Sequence, residues 1–247
     1  MPGMKRRIGA LLAMALGACS GPADQPVEAP QAAESDWAAP PRIESVTRSA
    51  GALVVVGQAG PGARVVLRSP VGAAFAASAD AQGRFELRMT PPAGDVLLTP
   101  VVQVGERAAA APERLMILAG GAGPVALLSP GGPSRRLDPA PALDALDTDG
   151  AALVASGRGQ AGRAVSLSID GGQPVSASAA RDGRWTAMLG SAAPATVVVG
   201  GQRFAWSGAA PDRGGPLDVQ RIGGGWKVSW PISPTARQTS WFPEAPA

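Results

Sequence analysis

The 247-residue chain has no histidine and no tyrosine, and it has one cysteine. Without histidine it lacks the usual general base, the usual activator of a nucleophile and the commonest transition-metal ligand. A Ser-His-Asp triad is excluded. The single Cys19 permits no intramolecular disulfide. Lysine is almost absent as well: only Lys5 and Lys227 are present. A Ser-Lys hydrolase would pair Lys227 with a serine in a recognisable motif, and none is visible. Paired-carboxylate glycosidase chemistry fits the composition but normally needs a sizeable cleft, which small domains do not offer. The expectation is a protein that is not an enzyme and uses no cofactor.

Long helical patterns are also missing. The 33 glycines and 25 prolines interrupt nearly every amphipathic window. Ala108–Ala111 allows one helical turn, limited by Pro112. Excess charge is lacking too. The chain carries 22 Lys+Arg against 19 Asp+Glu, and removing Lys5, Arg6 and Arg7 leaves 19 against 19. That balance provides no electrostatic footprint for nucleic acid. The doublet Arg135-Arg136, in a Gly/Pro-rich stretch, is expected to be solvated.

What is present starts with a targeting pattern. Lys5-Arg6-Arg7 precedes the apolar run Ile8–Leu16, which is too short to span a bilayer and has the length of a signal-peptide core. It ends in Leu16-Gly17-Ala18-Cys19, which resembles the lipobox of bacterial lipoproteins. The resemblance implies removal of residues 1–18, a diacylglycerol on the Cys19 thiol, and anchorage to a membrane. Ser20 in the following position implies outer-membrane retention, with the protein facing the periplasm. Residues 19–41 are rich in Pro, Ala, Glu and Gln, and they bury too little to offset ordering entropy. They are expected to form a tether, with Trp37 docking onto the first folded domain.

The chain then repeats itself at a constant offset of 100 (157 − 57, 183 − 83). Leu53-Val54 matches Leu153-Val154, and Gly57 and Gly62 match Gly157 and Gly162. Val65 and Leu67 match Val165 and Leu167, and Ala77-Ser78-Ala79 matches Ala177-Ser178-Ala179. Gly83-Arg84-Phe85 matches Gly183-Arg184-Trp185. Val165, Leu167 and Ile169 alternate with Ser166, Ser168 and Asp170, which is strand periodicity. Phe85, Leu87 and Met89 alternate likewise. Turn residues fall between the runs, at Gly60-Pro61-Gly62, Asp80–Gly83, Asp170-Gly171-Gly172 and Asp182-Gly183.

Gly-x-x-x-x-Gly, then Val-x-Leu, Ala-x-Ala and a Gly-Arg-aromatic strand start resemble bacterial Ig-like modules of envelope and adhesin proteins. The resemblance implies an all-β chain of two tandem Ig-like β-sandwiches with a spacer or binding role, and it supplies no catalytic residue. Domain 1 is expected over residues 42–118 and domain 2 over 142–247, separated by a Gly/Pro linker at 119–141. Val125–Leu128 in that linker suits an edge strand. Leu217–Ile222 and Trp226–Ile232 read as a hairpin closing domain 2, and Pro243–Ala247 as a frayed end.

Two clusters invite a binding role. Asp144, Asp147 and Asp149 resemble a fragment of a calcium loop, but the remaining ligands of such a loop are absent. A solvated turn with no metal is the expectation. Trp206, Trp226, Trp230 and Trp241 crowd the C-terminal part. Trp226, Val228 and Trp230 share one face of the predicted strand, with Lys227 and Ser229 on the other. Core packing of the hairpin explains them. The alternative is an aromatic platform rimmed by Arg221, Lys227 and Arg237, touching a glycan or a protein partner. Trp185, in the place of Phe85, is expected in the core. The expected function is a lipid-anchored interaction or scaffold module for another envelope protein. Binding of carbohydrate or peptidoglycan through the C-terminal aromatics is the alternative.

Overall fold

Residues 39–105, 107–190, 195–206 and 212–244 are described by a computed structural model. The expected signal segment, Cys19, Trp37 and most of the expected tether lie outside the described residues. Among the described residues, all regular structure is β apart from one 3-10 turn at Ala119–Gly121. The first repeat comprises β1 (Arg42–Ser49), β2 (Ala52–Gln58), β3 (Arg64–Arg68), β4 (Ala74–Ser78), β5 (Arg84–Met89) and β6 (Val96–Val104). Then come β7 (Arg107–Ala110), β8 (Arg114–Ile117), β9 (Val125–Leu128) and β10 (Arg135–Arg136). The second repeat is β11 (Leu143–Thr148), β12 (Leu153–Arg158), β13 (Ala164–Ile169), β14 (Val175–Ser178), β15 (Arg184–Gly190), β16 (Thr196–Val199) and β17 (Gln202–Ala205). The chain closes with β18 (Asp218–Ile222), β19 (Gly225–Pro231) and β20 (Arg237–Pro243).

The repeat in sequence is a repeat in hydrogen-bond register. Pairing of β1 with β2 slips between Ile43 and Ser45, and pairing of β11 with β12 slips between Leu143 and Ala145. Gly57 sits opposite Phe85, and Gly157 opposite Trp185. A Cβ on Gly57 would strike the Arg42 carbonyl and the Phe85 ring; on Gly157 it would strike the Ala142 carbonyl and the Trp185 ring. The aromatic ring of each repeat therefore lies on bare backbone, in a place that only glycine leaves open. Trp185 is a core residue, as expected.

Four sheets result. β1-β2-β5 forms the first, and β10-β9-β8-β6-β3-β4, with β7 also on β6, the second. β15-β12-β11-β20-β19-β18 forms the third, and β14-β13-β16-β17 the fourth. The first two close on an apolar core that includes Ile43, Leu53, Leu67, Phe85, Leu115 and Leu127. The last two close on Leu143, Leu153, Leu167, Trp185, Val199 and Trp241. Both repeats are therefore sandwiches.

A third core joins them. Met116 and Leu118 at β8 and Ala126 and Leu128 of β9 pack against Ala145, Val228, Trp230 and Phe242 of the third sheet. Alternate residues of β8 and β9 thus face opposite cores, Leu115, Ile117, Val125 and Leu127 on one side and Met116, Ala126 and Leu128 on the other. This is why Leu115–Leu118 and Val125–Leu128 are continuously apolar: no face of these strands meets water. The order of layers is first sheet, second, third, fourth, and Ser35–Ala247 forms one compact unit.

Three local features differ from expectation. Residues 119–141 supply β9 and β10 rather than a free linker, and β9 is not an edge, since it pairs with β8 and β10. Ala108–Ala110 lies in strand β7, because its partner β6 supplies hydrogen bonds that an isolated helical turn would lack. Pro243 ends β20 opposite Gly225 and is not frayed.

Candidate functional site

The C-terminal aromatics were the leading candidates, and tertiary packing decides their role. β19 pairs with β18 on one side and β20 on the other, so its backbone is fully engaged. Its two faces alternate as predicted, yet both are covered. Val228 and Trp230 enter the core shared with β8 and β9, and Lys227 and Ser229 on the opposite face are buried too. Trp206 and Trp241 pack in the core of the second repeat, ring centroids 5.7 Å apart and tilted by 44°. The Trp241 indole N–H donates to the Ile222 carbonyl at 3.1 Å. Trp206, Trp230 and Trp241 thus do not form an exposed platform. Lys227 does not rim one: it is buried with its ammonium 3.8 Å from the Asp218 carboxylate.

Trp226 alone keeps access to the surface. Its indole N–H donates to Glu244 Oε1 at 2.9 Å, and Arg221 donates to Glu244 Oε2 at 2.7 Å. The Arg221 guanidinium stands 5.6 Å from the Trp226 ring centroid, a cation–π distance. Arg237 is turned away, donating to Asp212 at 2.6 Å and to the Gly215 carbonyl at 2.6 Å. The Ser229 hydroxyl donates to the same Asp212 carboxylate and, with these neighbours, lowers its pKa to about 2.

The acidic run at the repeat junction also differs from what its sequence suggested. Only Asp149 occupies a turn, where it accepts the N–H groups of Ala151 and Ala152. Asp144 and Asp147 lie on β11 and are buried, contrary to the expected solvated turn. Asp147 accepts the Ser134 N–H at 2.7 Å, the Ser134 hydroxyl at 2.7 Å, the Ser240 hydroxyl at 2.5 Å and the Gln238 amide at 3.2 Å. Gln238 in turn accepts the Gly131 N–H and donates to the Gly132 carbonyl. Asp144 accepts the Arg136 N–H and lies within 3.2 Å of Arg158 and 3.3 Å of Arg184. Burial raises the pKa of both carboxyls, and these partners oppose the rise. Among the described residues, no group of three His, Cys, Asp or Glu is placed to hold a metal ion.

Arg136 is buried rather than solvated. It donates to both oxygens of Asp138, at 3.0 and 2.5 Å, and to the Pro243 carbonyl at 2.8 Å. The passage from β9 to β11 is therefore fastened to the second repeat by a chain of ionic and hydrogen-bonded contacts. Its residue types, an Arg doublet and closely spaced Asp, are visible in the sequence. Their burial is not, because it depends on β20 returning beside β11, nearly 100 residues later.

Comparison with protein-family models and with curated proteins finds no match. Function is therefore read from the chain's own residues.

Proposed function

We propose that this chain is a lipid-anchored protein of the bacterial cell envelope, a non-enzymatic scaffold or interaction module displayed on a tether. The observation that carries the reading is Leu16-Gly17-Ala18-Cys19 at the end of a basic segment and a short apolar run. Cys19 would carry the lipid and Ser20 would direct it to the outer membrane, facing the periplasm. The absence of histidine and of tyrosine from the sequence supports a role without acid–base catalysis. The two sandwiches with a shared core support a scaffold: residues at the far ends of the stack are held at a set separation, which a flexible linker would not do.

An aromatic platform for glycans is supported only by Trp226, since its three companions are buried. The favoured partner is another envelope protein. The test is Cys19→Ser. Wild-type protein is expected to resist a high-salt wash of membranes, to incorporate labelled fatty acid and to lose residues 1–18, while the variant incorporates no label and keeps its leader. A variant that is labelled and processed like wild type overturns the anchor.

A further inference from the structure

Where the two repeats meet, an open groove of about 440 Å³ is lined by six charged side chains. Arg42 and Glu44 come from β1, Glu113 from just before β8, Arg135 from β10, and Asp182 and Arg184 from the start of β15. The groove exists only because the repeats are stacked, and junctions of this kind are favoured ligand sites.

The charges are unequally committed. Arg184 turns toward Asp144, at 3.3 Å, and its backbone N–H is accepted by Asp182 at 3.0 Å. Glu113 accepts the Ser129 hydroxyl at 3.4 Å. Arg135 spends one N–H on the Ile43 carbonyl, at 2.8 Å. The side chains of Arg42 and Glu44 make no hydrogen bond or ion pair with the described residues and are exposed. Burial draws the Arg135 guanidinium below its ordinary pKa; Glu113 opposes this, and the charges of Arg184 and Arg42 add to it. A ligand carboxylate placed between Arg42 and Arg135 would relieve that repulsion through charge-assisted hydrogen bonds.

The sign balance selects the ligand. Three guanidinium groups face three carboxylates, so a polyanion gains little, and an uncharged sugar could hydrogen-bond to both sets but would neutralise neither. A molecule carrying both signs satisfies both. We propose that this groove binds the end of a short peptide bearing free carboxylates and a free amine, the carboxylates against Arg42 and Arg135 and the ammonium against Glu44. Stem peptides of the bacterial cell wall have this chemistry. The inference draws on the envelope reading only for the supply of such peptides.

The test is calorimetric titration of the purified chain from Ser20 to Ala247, which keeps the whole compact unit, carries neither the apolar leader nor the lipid-bearing thiol, and so separates failure of the groove from failure of the anchor. The probe is a soluble disaccharide-tetrapeptide containing meso-diaminopimelate. Saturable binding with a Kd below about 1 mM is expected. Arg42→Gln and Arg135→Gln should each raise the Kd about 5–20-fold through loss of a charge-assisted contact. Arg203→Gln, an exposed change on β17, should leave it unaltered. Because the Arg42 side chain bonds to none of the described residues, its variant keeps the fold and its effect cannot be unfolding. The proposal is overturned by absence of binding at millimolar probe or by equal binding of the disaccharide without peptide. Inorganic phosphate binding as tightly as the probe overturns it too, as does an Arg42→Gln chain that binds like wild type.

Discussion

If β9 is covered on both faces, two adjacent leucines should be equally indispensable. Leu127 and Leu128 are neighbours in the chain and point into different cores, the first between β1-β2-β5 and its own sheet, the second between the two repeats. Both are essentially without solvent contact, at 1% and 0% exposure. Truncating a buried leucine to alanine removes its transfer energy and leaves a cavity, which costs about 2–5 kcal/mol. In a half-exposed strand only one of two neighbours would show that loss, and the other would change stability by less than about 0.5 kcal/mol. Here Leu127→Ala and Leu128→Ala should each cost about 2–5 kcal/mol, which in a chain of this size lowers Tm by roughly 4–20 °C. Urea titration followed by tryptophan fluorescence measures both variants, and Trp230 reports directly from the core that Leu128 fills. A Leu128→Ala protein within about 0.5 kcal/mol of wild type, beside a Leu127→Ala protein with the full loss, would refute the shared core.

Gly157→Ala forces a methyl group into the Ala142 carbonyl and the Trp185 ring and should destabilise by about 1–3 kcal/mol, seen as a lower urea midpoint with unchanged slope. Acid titration of stability should show two opposed effects. The raised carboxyls Asp147 and Asp144 hold a proton more tightly when folded, so stability grows as pH falls through their folded values toward the ordinary carboxylate value of about 3.9. Asp212 acts in reverse: its contribution is complete above about 3.9 and is lost as pH falls toward about 2. Asp147→Asn should weaken the first effect, and at neutral pH it should cost about 1–3 kcal/mol, because its amide N–H2 meets the Ser134 N–H in one orientation and the Gln238 amide donor in the other. A variant as stable as wild type, with the same acid profile, would contradict the burial of Asp147.

The sequence was most informative where its signals are local. Glycine at the turns, period-two alternation in β5 and β13, and a register repeated every 100 residues were enough to indicate two β-sandwiches. The matches of Gly57 with Gly157 and of Phe85 with Trp185 were visible in the sequence, but that glycine and aromatic face each other across the strands came only from the structure. Arg136, Asp144 and Asp147 were less legible. Charged residues near glycine and proline suggest solvent, and only a strand from far along the chain removes it. Likewise Trp226, Val228 and Trp230 share one face of β19, for which core packing was expected, but nothing nearby in sequence reports that the opposite face, at Lys227 and Ser229, is covered too.

The sequence alone therefore determined the element type, the places of the turns and the repeat at an offset of 100, because each depends on residues close together in the chain or on a pattern that recurs along it. Tertiary structure alone decided that the repeats share a core, that Lys227, Ser229, Asp144 and Asp147 lie inside, and that a charged groove opens between the repeats. Those outcomes depend on β20 lying beside β11, and on β8 and β9 meeting β19. They are contacts between residues about 90–120 positions apart in chain numbering, so no local pattern around either partner reports the burial that the other provides.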